Sequence, residues 1–177
     1  MNLPNKLSIA RVVCIPAIVI LLYLQDPACR IAAGILFIIA CLTDFLDGQI
    51  ARKQNLVTDF GKFIDPVADK LLVLTTLIML IHREMMPAWV VIIVLCRELS
   101  VDGLRMVAVT QGKVIAAGPL GKWKTTCQMV LISLMLILDL SFQTSWPIMA
   151  LTGIMVLLTV GSAVDYFVRN RSVLAEK

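Results

Sequence analysis

The chain has 177 residues, of which 59% are hydrophobic, 16% charged and 6% aromatic, and it carries a formal charge of +4. Ordinary soluble domains are roughly 45–50% apolar and about 25% charged, so this chain has too few polar residues to cover a water-exposed surface and too much Leu, Ile and Val for disorder. What remains is one small integral membrane domain over 1–177, because six spans of roughly 20 residues each leave room only for short loops.

Six apolar blocks follow in order. The first covers 7–24 and ends where Gln25-Asp26-Pro27 makes a turn. Lys6 and Arg11 ahead of an apolar run resemble a signal peptide, but a second apolar run starts within a few residues, so a retained first span is expected. The second block is 30–53, the third 59–81, the fourth 87–110, the fifth 122–140 and the sixth 146–169. Pro4, Pro27, Pro87 and Pro147 stand at or just before helix starts, where a missing N–H is harmless. Tyr23, Trp89, Trp123, Trp146 and Tyr166 fall near the block ends, as interfacial anchors do.

Charge sets the orientation. Fourteen of the 16 Lys and Arg residues fall toward one side and only Arg30 and Arg83 toward the other. Since Lys and Arg accumulate in cytoplasmic loops, both termini are expected in the cytoplasm, which an even number of spans requires. The fold class expected is thus an all-α bundle of six transmembrane helices, multi-pass in the plasma or inner membrane, with no nucleic-acid partner. Cys14, Cys29, Cys41, Cys96 and Cys127 are odd in number and widely spaced, and they read as small buried hydrophobes.

The second and third blocks carry acids that a lipid-facing helix could not hold. An ionisable residue at a span's centre costs at least about 2.5–3.5 kcal/mol, yet Asp44, Asp47, Asp65 and Asp69 all lie in these blocks. At 100° per residue, Asp44, Asp47, Gly48, Ala51 and Arg52 share an arc of about 140°, and Gly61, Asp65 and Asp69 one of about 80°. With 54–58 as a tight connection, two acidic stripes face each other near the cytoplasmic surface. All-oxygen donors without histidine suit hard cations such as Mg²⁺, Mn²⁺ or Ca²⁺, and four carboxylates balance two divalent ions. His82 belongs to the opposite side of the membrane and reads as solvated. The alternative is a set of buried ion pairs with Arg52, Lys62 and Lys70, which leaves the small residues Gly48, Ala51 and Gly61 on the same stripes unexplained.

Asp44-x-x-Asp47-Gly48-x-x-Ala51-Arg52, eight residues, then Gly61-x-x-x-Asp65-x-x-x-Asp69 resembles the complete signature of the CDP-alcohol phosphotransferase family. The resemblance implies an intramembrane enzyme, usually a homodimer, that moves a phospho-group from a CDP-linked donor to an alcohol and releases CMP. It implies that Asp44, Asp47 and Asp65 bind two divalent ions, Mg²⁺ or Mn²⁺. Asp69 would complete the metal site and act as general base. Asn5, Gly48, Ala51, Arg52, Thr58 and Gly61 would line the pocket for CDP-diacylglycerol, although Thr58 also reads as a simple helix N-cap.

The acceptor is suggested by three further segments. The opening Asn2-Leu3-Pro4-Asn5-Lys6-Leu7-Ser8-Ile9-Ala10-Arg11, the run from Arg97-Glu98 to Leu104-Arg105 and the segment Gly121-Lys122-Trp123-Lys124-Thr125 are similar to those of glycerol-phosphate-using members. Leu3 is a minor departure. sn-Glycerol 3-phosphate is a dianion and needs fixed positive charge, for which Arg105, Lys113, Lys122 and Lys124 are the candidates. Positive-inside anchoring for Lys122 and Lys124, and pairing of Arg105 with Asp102 or Glu98, are the competing readings. Two other functions stay open: a member using serine or inositol phosphate as acceptor, and an ion or proton transporter, which would spread its acids across the bilayer.

Overall fold

A computed structural model describes residues 3–24, 26–53, 59–113, 115–116 and 118–174, with side chains over 9–24, 26–44, 67–113, 115–116, 118–171 and 173. Among the described residues the chain is all-helical and has no strand. Six long helices run α1 (Leu3–Tyr23), α2 (Pro27–Lys53), α3 (Asp59–His82), α4 (Ala88–Thr110), α5 (Pro119–Leu138) and α6 (Trp146–Arg169), and a single turn, α7 (Arg171–Leu174), follows.

The six expected blocks correspond to the six long helices, with shifted ends. Helix α1 starts at Leu3, four residues early, and Pro4 fits its first turn because the N–H it lacks would have no intrahelical acceptor there. Helix α5 starts at Pro119, by the same logic, and stops at Leu138. Asp139, the residue after it, has φ 55°, which ends the helix early. The turn expected at 25–27 is an N-cap: Asp26 Oδ1 accepts from the backbone N–H of Ala28 at 2.8 Å and of Cys29 at 3.1 Å, with Pro27 opening α2.

Two of these helices contain described stretches long and apolar enough to cross a bilayer, Pro27–Asp44 in α2 and Trp146–Arg169 in α6. Helix α4 fails that test because Arg97, Glu98, Asp102 and Arg105 interrupt its second half. Helix α3 carries Asp59, Lys62, Asp65, Asp69 and Lys70 in its first half.

The chain divides into two compact units. Unit 1 comprises residues 1–86 and 132–141. There α1 packs on α2 and α3 through a stripe of Arg11, Ile15, Ile18 and Leu22, spaced i, i+4, i+7, i+11. Phe37, Leu72, Leu77 and Leu80 fill the same core, all at 1% exposure or less. The end of α5 seats against α2 at Gly34, where an added Cβ would meet Leu136 Cβ at 3.0 Å and Ile137 Cδ1 at 2.9 Å. Buried Arg30 secures that contact by donating from Nη1 to the Leu136 carbonyl and pairing through Nε with Asp139 at 3.2 Å. At the ends of α1 and α3, Tyr23 and His82 stack with ring centroids 5.3 Å apart. His82 is solvent-exposed, as expected, but this stack also fixes it.

Unit 2 comprises residues 87–131 and 142–177. Helix α4 packs on α6 and on α7, burying Val101, Leu104, Ala108, Tyr166 and Val173 in one cluster. Thr152 and Thr159 return their hydroxyls to the carbonyls of Ile148 and Met155 at 2.7 Å, so α6 buries polar residues without leaving a donor unmet. Helix α4 ends in a Schellman motif: Gly112 at φ 70° donates to Val109 O, and Lys113 N donates to Ala108 O, both at 2.9 Å. The five cysteines are free thiols; Cys96 is exposed and the others are half-buried.

Candidate functional site

Of the four signature aspartates, the described side chains are Asp44 and Asp69. Asp44 ends the apolar part of α2 and Asp69 lies in the third turn of α3. Both are half-buried. Asp44 Oδ1 lies 2.5 Å from Arg11 Nη1, a guanidinium whose side chain is only 1% exposed. One partner of Asp44 thus comes from α1; the side chains of Arg52 and Lys62 lie outside the described residues. Asp69, Asp44 and Arg11 all act electrostatically on the Cys41 thiol, one turn before Asp44. Two carboxylates and one guanidinium from three helices therefore converge on one region of unit 1.

The rest of the signature is fixed at the level of the backbone. Asp47, Gly48, Ala51 and Arg52 continue α2, Gly61 and Asp65 lie in α3, and Asn5 lies in α1. Their side chains, and Thr58 altogether, lie outside the described residues. Among the described side chains no group of three or more His, Cys, Asp or Glu is arranged as a metal site. The donors that are described nonetheless suit a hard divalent cation. They are oxygens only, supplied by two helices that α1 packs against. His82 stands 13 residues beyond Asp69 on α3, about 20 Å along the helix at 1.5 Å per residue, and takes no part in this region.

The candidate acceptor residues lie in unit 2. Arg105 pairs neither with Asp102 nor with Glu98. Its Nε donates to Tyr166 Oη at 3.0 Å, and its guanidinium carbon sits 5.5 Å from the Tyr166 ring centroid. Lys113 and Lys122 are exposed. Lys124 is buried, at 3% exposure, and its Nζ reaches Glu98 Oε1 at 2.5 Å. The same oxygen accepts from Arg97 Nη1 at 3.1 Å. Gly121 makes room for this cluster, since a Cβ there would approach Arg97 Nη2 to 3.3 Å. Two cations thus flank one carboxylate.

Three residues now matter that sequence reading left without a role: Arg11, Glu98 and Gln128. Arg11 and Glu98 carried a signal, since each falls in a segment that matched a pattern of the glycerol-phosphate-using members. Gln128 is 1% exposed, and neither atom of its carboxamide has a hydrogen-bond partner. Only its position in an apolar helix could have drawn notice.

Geometry alone leaves the reaction open, and the family follows from comparison. A model of the CDP-alcohol phosphatidyltransferase family matches residues 1–164, so the chain belongs to that family. It is 44% identical to the CDP-diacylglycerol–glycerol-3-phosphate 3-phosphatidyltransferase of Bacillus subtilis, over 96% of this chain and 95% of that one. A protein of the same name from Rickettsia bellii is 43% identical, over 77% and 75%. A probable phosphatidylglycerophosphate synthase of Mycobacterium tuberculosis is 39% identical, over 95% and 81%.

Proposed function

We propose that this chain transfers the phosphatidyl group of CDP-diacylglycerol to sn-glycerol 3-phosphate, giving phosphatidylglycerophosphate and CMP. Three similar proteins carry the names of that activity or of its product. Among structural observations, the convergence of Asp44 and Asp69 from α2 and α3 carries the reading.

In this reading the six long helices span the plasma or inner membrane, with both termini and the site on the cytoplasmic side. The protein acts as a homodimer. Asp44, Asp47, Asp65 and Asp69 hold two divalent ions, Mg²⁺ or Mn²⁺. When bound, such ions neutralise charge on the donor pyrophosphate and on departing CMP. Asn5, Gly48, Ala51, Arg52, Thr58 and Gly61 line the donor pocket, with glycine and alanine allowing close approach of the nucleotide. Asp69 takes the proton of the sn-1 hydroxyl. That oxygen attacks the lipid-side phosphorus in line, forming one P–O bond as the bond to CMP breaks. With His82 about 20 Å from Asp69, the carboxylate is the base on α3, and transfer is direct.

Arg105, Lys113, Lys122 and Lys124 bind the acceptor phosphate. Their parts differ because their surroundings do. Lys113 and Lys122 offer exposed ammonium groups, whereas Arg105 is oriented by Tyr166 and Lys124 by Glu98. The test is a choice of acceptor. Purified protein with CDP-diacylglycerol and Mn²⁺ is offered glycerol 3-phosphate, serine or inositol phosphate, and the lipid products are separated. Phosphatidylglycerophosphate is expected to form at least tenfold faster than either alternative lipid. Preference for serine or inositol phosphate would assign the chain to another branch of the family.

A further inference from the structure

Arg11 occupies a position that is costly for a cation. It belongs to the buried stripe of α1, together with Ile15, Ile18 and Leu22, and its side chain is 1% exposed. A guanidinium withdrawn this far from water costs several kcal/mol unless a partner compensates it. Among the described side chains a compensating carboxylate is Asp44, with Oδ1 at 2.5 Å from Nη1. Asp44 is far less enclosed, at 31% exposure, so Arg11 is the fixed member of the pair and the carboxylate is the member being held. The pair also has a direction. Arg11 comes from α1, which packs on both acidic helices, and its charge converges with those of Asp44 and Asp69 around Cys41.

A guanidinium packed 2.5 Å from one carboxylate oxygen places a fixed planar charge against that group, which a flexible ammonium does less rigidly. Groups that orient metal-ligating side chains in this manner commonly set metal affinity by a factor of about 10–100. We infer that Arg11 is a positioning residue of the metal centre: it grips Asp44 from α1 and fixes the orientation in which that carboxylate meets a divalent cation. The inference rests on the reading of Asp44 as a metal ligand. It adds that α1, which contributes no aspartate, sets the strength of metal binding.

The experiment measures Mn²⁺ binding to detergent-purified protein without substrate, following the loss of the free-ion electron paramagnetic resonance signal. Arg11→Gln removes the charge and the fork, and its Mn²⁺ affinity is expected to fall about 10–100-fold. Arg11→Lys keeps the charge but not the planar fork, and a loss of roughly 3–10-fold is expected. Ile15→Val, one turn along the same buried stripe, controls for packing alone; it is expected to lower thermal stability while leaving Mn²⁺ affinity unchanged. Should Arg11→Gln fail to elute as a folded species, Arg11→Lys decides the matter, and unchanged affinity would overturn the inference. Binding by Arg11→Gln as tight as wild type, or tighter, would equally overturn it, by making Arg11 a mere counter-ion that competes with the metal. A wild-type protein that binds no Mn²⁺ would instead remove the metal reading itself, and this inference with it.

Discussion

At the scale of single residues, the charged groups divide into those that are held and those that are available. Asp69 is proposed as the base, so Asp69→Asn should abolish CMP release while donor binding largely survives. Asp44→Asn should weaken Mn²⁺ and donor binding together. Near-normal turnover by Asp69→Asn would remove its assigned role. The two lysines of α5 differ in kind. Lys122 is exposed and Lys124 is buried against Glu98. Lys122→Met is expected to raise KM for glycerol 3-phosphate with little change in melting temperature. Lys124→Met breaks the buried contact with Glu98 and should lower thermal stability as well, since breaking a buried pair typically costs about 3–5 kcal/mol. Equal melting temperatures for the two variants would contradict that distinction. Gln128 is the opposite case. A buried carboxamide without partners gains nothing from its polarity, so Gln128→Met should hold or raise the melting temperature; a clear drop would show that the amide is engaged.

At the scale of elements, small residues and caps decide where helices meet and stop. Gly34 lets the end of α5 approach α2, and Gly34→Ala is expected to cost about 1–3 kcal/mol through overpacking against Leu136 and Ile137. Thermal unfolding in detergent would measure it, and an unchanged midpoint would mean that α5 can shift freely. Much of this level was legible in the sequence. Pro27 marked the start of α2, and Gln25-Asp26-Pro27 the turn before it. What was not legible has a common physical cause. The early stop of α5 depends on a positive φ at Asp139, a non-glycine residue that no turn pattern singles out. Arg11, which pairs with Asp44, lies 33 residues away on another helix, and a pairing at that separation leaves no local periodicity. The Glu98–Lys124 pair is hidden in the same way, because each residue alone reads as a solvated or anchoring charge.

At the scale of the whole molecule, the sequence shows an economy that its family explains. Apolar residues supply most of the helices, and five of the 12 acids fall between Asp44 and Asp69. Composition and hydrophobic blocks were enough to find six long helices, and the aspartate spacing was enough to find the family. Composition alone could not show which helices resemble lone membrane spans. Only the stretches in α2 and α6 do so among the described residues, and in α4 the charges of Arg97, Glu98, Asp102 and Arg105 interrupt the apolar run. The orientation proposed from the fourteen cations on one side predicts that tags at both termini are shielded from protease in sealed, right-side-out vesicles; cleavage of either tag would reverse it.

The central claim is that divalent metal, gathered by the aspartates of α2 and α3, drives phosphorus chemistry at this site. The most direct measurement is CMP release from CDP-diacylglycerol and glycerol 3-phosphate by the purified protein, before chelation, after excess EDTA, and after Mn²⁺ is restored. The account predicts full activity, loss to background, and recovery on readdition. Turnover that continues undiminished in EDTA would contradict it.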